Sequence, residues 1–180
     1  MRKLIATLLI LLAACSNEQP PQSFYTRSYE NPLDTIVARI HNEYDLIRAE
    51  RHNIPLTLAT SIRRIATYEG IPLPLAFSLV EVESGFNSYA LSSAGAIGLT
   101  QVMPATGIAH CGLAKKSLYD PDKNIACGFS YLKMLYSRYD RWDTALAAYN
   151  VGDARRKRAH LTGEPDGSSY ARAVISGAVD

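Results

Sequence analysis

The chain has 180 residues, 47% of them hydrophobic and 20% charged, with a formal net charge of +2. That length and apolar content suit one globular domain with a substantial core, and no second domain is expected. Arg2 and Lys3 supply the excess charge; beyond them basic and acidic side chains are equal at 17 each, so charge gives no argument for nucleic acid as a partner.

Met1-Arg2-Lys3 followed by the apolar run Leu4 to Ala14 reads as an export signal over residues 1–14, too short to span a bilayer as a mature helix. Its end, Leu12-Ala13-Ala14-Cys15, resembles a bacterial lipobox, which predicts cleavage before Cys15, lipidation of that cysteine and a membrane anchor. An ordinary signal peptide that contains a cysteine is the alternative. Ser16, rather than aspartate, follows Cys15, and this resembles sorting to the outer membrane. Residues 15–32 carry Asn17, Gln19, Pro20, Pro21, Gln22, Ser23 and Pro32 and suit a flexible tether, leaving 33–180 as a periplasm-facing domain.

From Leu33 to Arg51, Ile36, Val37, Ile40, Tyr44 and Ile47 recur at three and four residues and argue an amphipathic helix, ended by Asn53-Ile54-Pro55. A second helix is expected from about Pro55 to Tyr68, with Leu58, Ile62, Ile65 and Ala66 inward and Gly70 as its stop. Pro72 and Pro74 suit the first turn of a third helix, where their missing N–H groups cost nothing. Ala76, Leu79, Val80 and Glu83 share one face of it, so Glu83 occupies a position that packing would give to a hydrophobe. Glu81 projects roughly 160 to 200° away and forms no dyad with it.

Ser84-Gly85 should end that helix, and the Ser-, Ala- and Gly-rich stretch Ala90 to Leu99 should be a loop close to a ligand. Asp120-Pro121 looks like an N-cap and N1 pair for a helix reaching about Tyr139, with Ile125, Phe129, Leu132 and Leu135 or Tyr136 facing the core. Trp142 to Tyr149 continues the helical signal, and Arg155-Arg156-Lys157-Arg158 reads as a solvated helix face rather than an anionic-surface contact. No long alternating run appears, so the fold class is mostly α with at most a small β-hairpin. In an oxidising compartment Cys111 and Cys127 are expected to pair, which would stabilise the fold by about 3 kcal/mol for a loop of about 15 residues; two buried free thiols are the alternative. His41, His52, His110 and His160 show no ligand spacing, so no metal or other cofactor is expected.

A carboxylate in the last turn of a helix feels the negative end of the macrodipole, and apolar surroundings also disfavour its ionisation. Together these effects could lift Glu83 from about 4.3 toward the 6 to 7 range of a general acid. Periodicity alone leaves a frayed surface glutamate or a structural ion pair equally open.

Glu83-Ser84, the spaced Ser92 and Gly95, and Gly98-Leu99-Thr100-Gln101-Val102-Met103-Pro104 resemble the first two signature blocks of the family 1, Slt-type lytic transglycosylases of glycoside hydrolase family 23. Ala147-Ala148-Tyr149-Asn150-Val151-Gly152 is similar to the third block, and Tyr119-Asp120-Pro121-Asp122-Lys123-Asn124-Ile125 with Gly128 and Tyr131-Leu132 to the connecting segment. The resemblance covers roughly 71–175. It implies a lysozyme-like, goose-type helical domain that cuts the β-1,4 bond between N-acetylmuramic acid and N-acetylglucosamine in peptidoglycan. Glu83 would act first as acid and then as base, leaving a 1,6-anhydromuramyl end, with help from the substrate's own acetamido group. The resemblance further implies that Gln101 hydrogen-bonds near the scissile sugars, Tyr149 approaches Glu83 or the substrate acetamido group, Ser92 contacts a sugar substituent, Met103 lines the cleft and Tyr170 binds substrate.

Most glycosidases need a second carboxylate beside the scissile bond. Between Ser84 and Tyr119 there is no Asp or Glu, which favours the single-acid route over a hydrolytic goose-type lysozyme unless Asp120, Asp143, Asp153 or Asp166 returns through the fold. A non-catalytic wall-binding lipoprotein is the third reading. Two positions depart from the family pattern: Thr100 stands where methionine is usual and could alter a subsite wall, and Asp166-Gly167 precedes Ser168-Ser169-Tyr170 where many members have glutamate and threonine. The expected partners are peptidoglycan strands, the membrane, and a secretion, conjugation, pilus or division machine, with the chain itself a monomer.

Overall fold

The computed structural model describes residues 31–155, 158 and 166–179. The signal peptide, Cys15 and all of the tether before residue 31 lie outside the described residues, as do Arg156, Lys157 and His160. In chain order the elements are α1 (Pro32–His52), α2 (Leu56–Glu69), α3 (Leu73–Ser84), α4 (Pro104–Cys111), a 3-10 turn (Lys115–Tyr119), α5 (Pro121–Tyr139), α6 (Trp142–Val151) and α7 (Ser168–Gly177). Pairing between extended segments among the described residues is limited to two isolated bridges, Leu91 with Ile97 and Ile97 with Val102. The mostly α expectation holds.

The boundaries follow local chemistry. Gly70 and Gly85 take the left-handed conformation that ends α2 and α3, and Asp120 accepts from the Lys123 N–H at 3.1 Å, with Pro121 at the first position of α5. Ile62, Phe77, Leu79, Leu99, Ile125, Phe129, Leu132, Leu135 and Leu146 are fully or almost fully buried. Each such side chain contributes about 1.5–3 kcal/mol relative to exposure, so the core formed by α2, α3, α5, α6 and α7 fixes the frame of the site. A smaller cluster of Ile97, Val102, Leu118 and Cys127 lies under the loop that follows α3, and there Cys127 is bonded to Cys111 with Cα atoms 5.6 Å apart.

The chain divides into compact units at Ile40. In the first, Leu33, Ile36, Val37 and Ile40 are 47–65% exposed. In the second, Ile47 is also exposed, while Asp45 is 2% exposed and bonded to Arg63 Nε (2.7 Å) and Thr60 Oγ1 (2.9 Å) of α2. An amphipathic helix ordinarily turns its apolar stripe to the core. Beyond His41 the inward face of α1 carries Asp45 together with the half-buried Tyr44 and Ala49, which pack against the core, so the ion pair with α2 shares that face with apolar side chains while Ile47 is left outside.

Candidate active site

Glu83 stands in the last turn of α3, on the face of the buried Ala76, Leu79 and Val80. The helix stops directly behind it, where the Gly85 N–H closes on the Glu81 carbonyl at 2.8 Å. The Ser84 hydroxyl lies 2.8 Å from the Leu99 carbonyl and ties this helix end to the loop below it. Half-buried in this corner, the Glu83 carboxyl is pushed up to about 7 by loss of water, and a hydrogen bond donated by the Tyr170 phenol to Oε1 acts in the opposite sense. Among the described residues no cation contributes. At neutral pH the side chain therefore exists as acid and as carboxylate in comparable amounts, the condition under which one group can give and then take a proton.

Tyr170, expected against the sugars, is thus bonded to the acid itself. Burial, the Glu83 charge and that hydrogen bond hold its phenol well above the usual tyrosine range, so it remains a donor. It is delivered by the segment Asp166-Gly167 that leads into α7. Just before α7, Asp166 accepts from the Ser168 N–H (2.9 Å) and hydroxyl (2.7 Å). Gly167 lies so close to α6 that a Cβ there would sit 2.5 Å from the Ala147 carbonyl oxygen.

The loop from Ile97 to Val102 is closed by reciprocal 3.0 Å backbone hydrogen bonds between its end residues. Within it Gln101 has φ +48°, a left-handed conformation uncommon for a side chain of its size. Its amide nitrogen donates to the Gly98 carbonyl at 2.9 Å, leaving Oε1 without a protein partner among the described residues. Tyr149 from α6 donates to the Thr100 carbonyl at 2.6 Å. Burial and the nearby Glu83 charge push its phenol up as well. Gln101, Met103, Thr106, Tyr131, Tyr149 and Asn150 line one cavity of about 190 Å³, to which Met103 contributes a 41% exposed side chain.

Ser92 stands apart from this group, its hydroxyl accepting from the Ala96 N–H at 2.9 Å to brace a turn. Thr100 forms no cleft wall; it is fully buried against Asn124. Asn124, Tyr131 and Asn150 stand in the sequence only as residues of the family-like segments, with no role assigned, and Thr106 has no signal there. The signal for Asn124 is a polar residue beside Ile125 on the inward face of α5, one helical turn before Gly128.

The acids that could have returned through the fold are engaged elsewhere. Asp120 caps α5, Asp143 is held down to about 2 chiefly by Arg141, Asp153 accepts from Arg138 and Tyr139, and Asp166 accepts from Ser168. None of these contacts involves Glu83. A larger cavity, about 580 Å³ and lined by Leu58, Phe86, Ser88, Asp120 and Asp122 among others, does not include Glu83 either.

Fold and site together define a lysozyme-like helical domain organised around one acid. A model of the transglycosylase SLT domain matches residues 60–168, and the chain belongs to that family. It is similar to membrane-bound lytic murein transglycosylase C of Histophilus somni, 37% identical over 138 residues covering 68% of this chain and 36% of the relative. The protein of the same description from Haemophilus influenzae is 39% identical over 122 residues, covering 59% and 32%. The chain thus spans about a third of the length of these relatives. Among solved structures it resembles an inactive mutant of the lytic transglycosylase Slt from Pseudomonas aeruginosa (TM-score 0.57, 29% identity, covering 66% of this chain and 23% of that one). It also resembles the 70 kDa soluble lytic transglycosylase of Escherichia coli (TM-score 0.54, 28% identity, covering 73% and 22%).

Proposed function

We propose that the protein is a peptidoglycan lytic transglycosylase that cleaves the β-1,4 bond between N-acetylmuramic acid and N-acetylglucosamine. The observation that carries this reading is a single carboxyl, Glu83, poised near neutrality while each neighbouring candidate acid is bound to other partners. Glu83 gives its proton to the glycosidic oxygen as the C1–O4 bond breaks. The resulting carboxylate, steadied by the Tyr170 hydroxyl, takes the proton of the muramyl C6 hydroxyl, whose oxygen bonds to C1 and closes the 1,6-anhydro ring. The proton returns to Glu83, and water enters no step. The acetamido group of the same sugar assists at C1, and no cofactor is required.

In this assignment Gln101 Oε1 and the Met103 and Tyr149 walls meet the sugars, and Ser92 contacts a sugar substituent while bracing its turn. Residues 1–14 act as a signal, Cys15 carries lipid, residues 15–32 tether the domain, and 33–180 work on the wall from the periplasmic side of the outer membrane, as a monomer and at the service of an envelope-spanning machine. The lipobox-like sequence and the membrane-bound relatives support the anchor.

Digestion of purified peptidoglycan followed by mass analysis tests the reaction. Products with anhydro ends are expected. Products one water heavier would make the protein a hydrolytic muramidase, and no products at all a wall-binding lipoprotein.

A further inference from the structure

The loop that presents Gln101 and receives the Tyr149 hydroxyl is plugged from behind by one side chain. Asn124, 1% exposed on α5, donates from Nδ2 to the carbonyls of Ile97 and Leu118, both at 2.8 Å. Its Oδ1 accepts from the Thr100 N–H and lies 2.8 Å from the Thr100 hydroxyl. A carboxamide offers two donors and two acceptor lone pairs, so both donors and at least one acceptor lone pair are spent on this loop and the 3-10 turn. The Thr100 hydroxyl also lies 3.0 Å from the Asn124 main-chain carbonyl, and its single proton serves one of these two acceptors at a time.

Two further facts give this lock a direction. The Thr100 carbonyl, on the other side of the same residue, accepts the Tyr149 hydroxyl, so fixing Thr100 fixes where that phenol points. Gly128 lets α5 approach: a Cβ there would lie 2.2 Å from the Thr100 hydroxyl oxygen and 2.9 Å from the Tyr149 oxygen. Gln101, the next residue, keeps its left-handed backbone between the anchored Thr100 and the bridge at Val102. A conformation of that kind persists only where its surroundings over-determine it.

We infer that Asn124 and the Thr100 hydroxyl form a positioning lock that sets the Tyr149 phenol and the Gln101 side chain in the cavity they share. For the chemistry this rests on the transglycosylase reading; the geometry of the lock does not.

The test uses the full chain at temperatures well below its unfolding midpoint. Thr100→Val removes only the hydroxyl and keeps the shape. Thr100→Ser keeps the hydroxyl and loses a methyl, which makes it the poorer of the two in packing. The lock predicts that Thr100→Val lowers kcat on soluble glycan strands by about three- to tenfold with KM unchanged, the size of one hydrogen bond. Thr100→Ser should stay within about twofold of wild type on the same scale. In a Tyr149→Phe background Thr100→Val should cost less than it does in the wild type, because the phenol it positions is gone and only the loss through Gln101 is left.

A second readout needs no substrate. The Gln101 side-chain amide signals in a nitrogen-proton correlation spectrum, assigned through Gln101→Glu, should match between wild type and Thr100→Ser and shift in Thr100→Val. Equal activity of wild type and Thr100→Val with unmoved Gln101 signals overturns the lock, as does a full additional loss in the Tyr149→Phe background. If wild type yields no anhydro products the reaction reading falls, and the spectrum still decides the lock.

Discussion

Two acids break the apolar patterning of this domain, and their surroundings are opposite. Asp45, almost completely buried between α1 and α2, is matched by the Arg63 guanidinium and the Thr60 hydroxyl. Glu83, less deeply buried at the end of α3, receives one neutral phenol and, among the described residues, no cation, and its carboxyl is held near neutrality. Burial alone does not make a carboxyl reactive. Where a cation comes with it the result is a structural clamp; where none does, the proton stays available at the pH where the reaction runs.

The largest effect that sharpens this contrast is on turnover. Glu83→Gln should lower release of wall fragments by about 10³-fold, as loss of a general acid does, and a residual rate within tenfold of wild type would break the assignment. Asp45→Ala should leave Arg63 with no carboxylate partner in a largely buried setting and destabilise the domain by about 3–5 kcal/mol, read as a shift of the urea midpoint. Activity of the molecules that remain folded should be unchanged. Replacing both partners, Asp45→Leu with Arg63→Met, should recover most of that loss.

A third test reads Glu83 through stability. The folded carboxyl keeps its proton up to about 7, whereas an unperturbed glutamate releases it near 4.5. Its ionisation therefore costs the fold stability as pH rises through that window, a contribution absent below 4.5 and complete above 7. Glu83→Gln removes the cost, so the variant should gain at most about 3 kcal/mol over wild type between pH 4.5 and pH 8. Denaturant titrations at both pH values check the sign. The smallest effect belongs to Tyr170→Phe, which deletes the hydrogen bond that lowers the Glu83 pKa. The alkaline limb of the pH–rate profile should move to higher pH, with a loss of turnover of about tenfold or less.

Much of the frame was legible because its punctuation is local. Prolines at 55, 72, 74 and 121 and glycines at 70 and 85 mark the ends of α2, α3 and α5 through backbone chemistry that needs no tertiary context. Glu83 was legible for the same reason, since a helical period shows which residues share its face. The orientation of α1 was not, because the Asp45 clamp depends on Arg63, 18 residues away in sequence. α4, only eight residues long, gave too few turns for a period to register, and α7 lies beyond the motif blocks that guided the reading.

The second layer of the site was hidden for a related reason. Asn124 acts on Thr100 across 24 residues, and Tyr170 reaches Glu83 across 87. Family resemblance named Tyr170, but its bond to the acid is a product of α7 docking on α6 through Gly167.

The most direct test of the contrast is the titration of Glu83 itself. With glutamate side chains labelled at the carboxyl carbon, the resonance lost in Glu83→Gln identifies the residue. That resonance should titrate near 7, above the value of 4.5 for an unperturbed glutamate. A midpoint near 4.5 would show an ordinary carboxylate at neutral pH, unable to begin the reaction as an acid, and would contradict the account at its centre.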